Sequence, residues 1–70
     1  MRMAYELVIA NPHIVTIDGA TREHLVWIRE QQPKAVFNYK VVEHRIDGTL
    51  LVEFHFEDEA VAAIFRLFHA

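Results

Sequence analysis

Apolar and polar residues alternate along two stretches of the second half of the chain, 36–46 and 49–56, on either side of Asp47-Gly48. That pattern predicts a β-hairpin. With Asp47-Gly48 as a two-residue turn, Ile46 stands opposite Thr49, Val42 opposite Glu53, Val41 opposite Phe54 and Tyr39 opposite Phe56. One face then collects Tyr39, Val41, Leu50, Val52, Phe54 and Phe56. The other collects Lys40, Val42, His44, Leu51, Glu53 and His55. An apolar face backed by a mixed one is the signature of an antiparallel sheet covered by helices on one side. A slip of one residue would exchange Phe54 and Phe56 for Glu53 and His55, so the pattern selects its pairing strongly.

The other elements follow from shorter signals. Tyr5, Leu7 and Ile9 alternate with polar or smaller neighbours and predict a strand, which Asn11-Pro12 interrupts. Extended character returns at 13–17, so 4–17 form either two strands or one broken by a bulge. Residues 18–21 carry turn and helix-start chemistry, with Asp18 or Thr21 as the N-cap. The helix expected at 22–32 places Leu25 and Ile28 on one face, widened by Val26 and Trp27, and stops before Pro33. A second helix begins at Asp58, with Glu59 facing its positive end and Val61, Ile64, Phe65 and Phe68 at helical spacing. Its ending is open. The helix runs to Phe68, or residues 66–69 form a last edge strand, the reading favoured because four strands bury a helix pair better than three. The expectation is one α/β (α+β) domain over residues 1–70. It is a two-layer sandwich with roughly three to five antiparallel strands and two helices on one face, ferredoxin-like βαββαβ in order.

Length, composition and charge then change this picture. At 70 residues the chain buries only about 60% of its unfolded surface, so its stability margin is narrow. Cysteine is absent, which removes disulfides and thiolate chemistry and fits a reducing, cytoplasmic setting. A hydrophobic fraction of 53% argues against disorder, and a small core makes homo-oligomer formation an expectation. The formal charge of −3, with Lys and Arg scattered, gives no grip on a polyanion. No apolar run approaches the ~18 residues of a membrane span, and the first residues lack a secretory signal. The initial Met and the absence of tag-like sequence are expected of a complete small reading frame.

Chemistry is sparse. Serine and cysteine are both missing, and Thr16, Thr21 and Thr49 sit where strand or turn structure explains them. The 5 histidines, His13, His24, His44, His55 and His69, show no three- or four-residue helical spacing that would aim two imidazoles at one ion. On the predicted ladder His44 and His55 lie ~13 Å apart, at about 3.3 Å per residue. Ordinary surface histidine, or a pH-responsive surface, is the simpler reading. Glu57, Asp58 and Glu59 are explained by helix capping. Neither a catalytic residue, a metal site nor a cofactor is expected.

The segment Phe54-His55-Phe56-Glu57-Asp58-Glu59-Ala60-Val61-Ala62-Ala63-Ile64-Phe65-Arg66-Leu67-Phe68 resembles the tail of a loose group of short phage-encoded proteins of unknown function. There too a strand, an acidic cap, an Ala-containing helix and a Phe-(Lys/Arg)-Leu-aromatic ending follow one another. The resemblance implies a ferredoxin-like arrangement and a phage setting, and no activity. The functional expectation is a small non-enzymatic protein-interaction module, binding a host or phage protein or a second copy of itself. Its expected contacts are Trp27, Val42, His44, Leu51 and His55, chosen as an extra tryptophan and the residues of the mixed sheet face. The alternative is a nucleic-acid-binding accessory domain of RNA-recognition-like topology. It is disfavoured because the aromatic residues fall on the face assigned to the core.

Overall fold

The computed structural model describes residues 11–70. The strand expected at Tyr5, Leu7 and Ile9 lies outside the described residues. From Asn11 onward the order is β1 (His13–Ala20), α1 (Arg22–Gln31), β2 (Phe37–His44), β3 (Leu50–Phe56) and α2 (Glu59–His69). The three strands form an antiparallel sheet in the order β1-β3-β2. β1 and β2 therefore run parallel with β3 between them, the split βαβ arrangement. Mixed α+β architecture with two helices is thus what the described residues adopt.

Helix boundaries follow local chemistry. Thr21 caps α1, its Oγ1 accepting from the Glu23 amide at 3.3 Å. The reciprocal half of the capping box, usually Glu or Gln, is here His24, whose Nδ1 accepts from the Thr21 amide at 3.1 Å. Asp58 caps α2 as expected, its carboxylate accepting from the Ala60 amide at 2.8 Å. The edge strand expected at 66–69 does not form, and α2 continues through His69. Phe65, Phe68 and His69 stand three and four residues apart and so share one helical face against Trp27 of α1. A strand would have sent Phe68 and His69 to opposite sides.

The hairpin also differs from expectation. The Gly48 amide donates to the Arg45 carbonyl at 3.0 Å and the Arg45 amide to the Thr49 carbonyl at 3.0 Å, closing a loop over Ile46, Asp47 and Gly48. A two-residue type I′ turn needs positive φ at both central residues, whereas only Gly48, at +89°, has it here. Asp47 instead accepts from the Thr49 amide and hydroxyl, at 3.0 and 2.8 Å. Those bonds, the amide's first, hold its carboxyl below the usual carboxylate range. A second irregularity between Val41 and Glu43 shifts the register again. Tyr39 consequently pairs with Phe54 and Val41 with Val52, two residues from the expected register. Because the combined shift is even, Tyr39 and Val41 keep the predicted face. Beyond the bulge His44 pairs with Leu50, which moves it off the mixed face. Residues 18–20, expected as a turn, extend β1 through an irregularity at Gly19, where φ is +82°.

The core lies between sheet and helices. Val15 and Ile17 of β1, Val52, Phe54 and Phe56 of β3, Ile28 of α1, and Ala62 and Phe65 of α2 are buried together with Ala20. Phe54 and Phe56 therefore point beneath the helices, as the alternation predicts. Phe65 is the junction, with ring centroids 4.9 Å from Phe54 and 5.2 Å from Phe56. Each such ring contributes roughly 1.5–3 kcal/mol on burial. α2 lies over β1 and β3, and β2 is the less covered edge. Across the opposite face, Asn11 Nδ2 donates to Asn38 Oδ1 at 2.7 Å and ties the segment before β1 to β2.

Candidate functional site

Incomplete cover of β2 creates an apolar trough on the helix-facing side of the sheet. The start of α1 supplies Thr21, Arg22 and Leu25, with Ala20 just before it. β2 supplies Tyr39 and Val41, and β3 supplies Leu50, Val52 and Phe54. Its volume is about 280 Å³. Tyr39 and Val41, expected in the core, are 50% and 38% exposed here. They sit on the outermost strand, where neighbouring strand and helix protect them from one side only. The Tyr39 ring leans on Phe54, centroids 6.0 Å apart, and leaves its other face open.

The five expected contact residues occupy three different places. Trp27 is half-buried in the seam between the helices, its ring 5.9 Å from Phe65, 5.6 Å from Phe68 and 4.7 Å from His69. Leu51 and His55 lie on the opposite, open face of β3. Leu51 is paired with Asp18 and Glu43, and His55 with Ile14 and Asn38. His55 Nε2 is 3.1 Å from Glu53 Oε1. Val42 stands exposed at the β2 irregularity, and His44 is exposed near the hairpin end on the helix-facing side. His44 and His55 therefore flank different faces of the sheet. The open face as a whole presents Ile14, Thr16, Asp18, Asn38, Lys40, Glu43, Leu51, Glu53 and His55.

At the hairpin end Arg45 bridges Asp18 of β1 and Glu43 of β2. All three side chains are substantially exposed, so this cluster ties strand ends together with little gain in stability. Among the described residues no group of three or more His, Asp or Glu side chains is placed to hold a metal ion. Thr21 has an imidazole beside it, His24 Nδ1 lying 3.4 Å from its Oγ1. Both atoms are engaged in capping α1, which is what brings them together.

Sequence spacing concealed one constellation. His24 and His69, 45 positions apart, meet across the helix seam with ring centroids 4.9 Å apart. Phe54 and Phe65 border His24 at 6.3 Å, and Phe65 borders His69 at 4.9 Å. The Nε2 atom of His69 is buried with no hydrogen-bond partner among the described residues. Burial first, and the neighbouring His24 second, hold the His69 imidazole below its ordinary pKa. Only the helical reading of residues 66–69 would have placed His69 on the face of Phe65. Nothing local in the sequence pairs it with His24.

Among the described residues no helix is long and apolar enough to cross a membrane. No family model, curated protein or solved structure matches the chain.

Proposed function

We propose that this chain is a small, non-enzymatic protein-interaction module, phage-encoded and acting in the cytoplasm. In this reading it binds a host or phage protein, or a second copy of itself. The observation that carries the proposal is the apolar trough along β2, where Tyr39, Val41, Leu25 and Leu50 stand partly open to solvent in a domain with little core to spare. Contiguous apolar surface next to a strand edge that no described strand pairs with is the kind of feature that protein partners cover. The ferredoxin-like βαββαβ architecture belongs to the same proposal. It is supported by the β1-β3-β2 order and the split βαβ path, which agree with the first five elements of that fold.

Two observations favour protein over nucleic acid as the partner. The described open face carries no phenylalanine, tyrosine or tryptophan, and it places Asp18, Glu43 and Glu53 around Lys40. Stacking rings and clustered cations are what single-stranded nucleic acid requires. Light scattering over a concentration series, with a pull-down from host lysate, tests the proposal. The expected result is a dimer or a retained protein, lost in a Tyr39→Lys, Val41→Glu double variant that remains folded. A strict monomer that retains nothing refutes it. A salt-dependent gel shift with short RNA or DNA would transfer the assignment to nucleic acid.

A further inference from the structure

The seam between the helices holds a titratable group in surroundings unsuited to its charged form. His69 forms the last residue of α2, and its ring packs against Trp27 at 4.7 Å, Phe65 at 4.9 Å and His24 at 4.9 Å. Its Nε2 atom is buried without a partner among the described residues. An imidazolium needs both nitrogens donating, so protonation there leaves a charged donor unsatisfied in an apolar setting.

The groups around His69 offer little compensation. α1 presents His24 and the neutral Trp27 ring, and β3 meets the cluster through the uncharged rings of Phe54, beside His24, and Phe56, beside Phe65. On α2 itself, Arg66 directs its guanidinium to the Ile14 carbonyl of β1, at 3.4 Å. Glu23 is exposed at the start of α1, and Arg22 lines the trough. Among the described residues no carboxylate pairs with either imidazole, the ion pairs being Arg45 with Asp18 and Glu43, and His55 with Glu53. The carbonyl end of α2 does favour a cation. Burial and His24 act against it, and they prevail in setting the direction of the His69 pKa.

We propose that His69 is a proton-operated latch: neutral, it seats the last turn of α2 against Trp27 and His24 of α1, and protonated, it releases that turn. The sign follows from linkage. A folded-state pKa below the unfolded value of 6.5 means that the unfolded or released form binds the proton more tightly. The seated form is therefore fully favoured above about pH 6.5 and loses ground as the pH falls through the lower folded value. Release uncovers Trp27 and Phe65 next to the already exposed Leu67 and Phe68. Acidification thus enlarges an apolar surface that is distinct from the β2 trough, so the latch stands whether or not the trough binds a partner.

Trp27 is the only tryptophan and lies in ring contact with His69, so its emission reports the latch directly. The test is a fluorescence titration of the full chain from pH 8 to 4.5, with His69 and His24 followed by proton NMR. The expected result is a Trp27 transition centred below pH 6.5 that coincides with His69 titration. It disappears in His69→Phe, which keeps a ring in the seam, and persists in His55→Gln. Faster amide exchange in the last turn of α2, with β3 still protected, accompanies it. A flat Trp27 signal, a His69 midpoint at or above 6.5, or a transition that survives His69→Phe overturns the latch. The NMR arm needs no variant, so a poorly folded substitution does not spare the idea.

Discussion

Truncating Phe65 to alanine is the most searching test of how this fold is held. The ring has no solvent exposure and meets Phe54, Phe56, Trp27, His24 and His69 at centroid separations of 4.9, 5.2, 5.9, 6.3 and 4.9 Å. It packs against β3 and against Trp27 and His24 of α1, so its removal leaves a cavity at the junction of sheet and helices. Phe→Ala at such a site costs about 3–5 kcal/mol. A chain of 70 residues at roughly 0.05–0.15 kcal/mol per residue has a total of about 3.5–10 kcal/mol to lose. Urea unfolding, followed in parallel by Trp27 emission and far-ultraviolet circular dichroism, measures the difference. At a slope of about 1 kcal/mol per molar, the midpoint should fall by roughly 3 M or more, which unfolds the variant in buffer if the parent's total lies at the low end of that range. Leu67→Ala, two positions along the same helix but 79% exposed, should stay within about 0.5 kcal/mol of the parent. If Phe65→Ala costs under about 1 kcal/mol, or no more than Leu67→Ala, then α2 is not seated on β3 as described.

Other substitutions probe single joints. Gly48→Ala meets open space at its new Cβ but forces a left-handed backbone, so it should cost about 1–2 kcal/mol in urea unfolding, with Gly48→Asn costing less. Thr21→Ala removes the cap of α1 and should cost about 1 kcal/mol, with faster amide exchange confined to the first turn. The Asp47 carboxyl has a folded pKa below its ordinary 3.8, so its contribution to the hairpin is complete above that value and is lost as the pH falls through the lower one. The protection factor of the Thr49 amide, its exchange rate relative to the intrinsic rate at each pH, reads that loss, and Asp47→Ala should abolish the acid step in that factor.

Much of this architecture was legible in the chain because one face of β3 is greasy and the other is not. Phe54 and Phe56 could be placed inward from alternation alone, and Asp58 announced the start of α2. The hairpin register was lost to turn chemistry. Asp-Gly suits a two-residue turn, but Thr49 two positions beyond Asp47 captures its carboxylate and draws Ile46 into the loop. The irregularity near Val42 carried no signal, because valine fits a regular strand as well. Sequence leaves the ending at residues 66–69 open, and the preference for a fourth strand leans the wrong way, since the spacing of Phe65, Phe68 and His69 describes one face of a helix. Leu51 and His55 lie on the open face where alternation puts them, whereas Val42 sits at an irregularity that alternation does not show. Which face of an outer strand stays open depends on where α1 lies, and local pattern does not encode that.

That dependence also accounts for the trough. β3 is shielded by a strand on each side and by rings from both helices above, so its helix-facing residues Val52, Phe54 and Phe56 are all buried. On β2 the same alternation continues through Tyr39 and Val41, yet these stay exposed because α2 sits over β1 and β3. The sequence thus supplies apolar side chains for a cover that the described residues do not provide. Polar residues at 39 and 41 would forfeit little burial within the monomer, since half-exposed side chains return only part of their transfer free energy. Valine and tyrosine there bring greater benefit when another surface closes over them, and the edge of β2, unpaired among the described residues, gives that surface backbone groups to pair with. Packing among the described residues therefore explains the buried face of β3 in full and the outer part of β2 only in part, and it is on that remainder that the proposed partner would act.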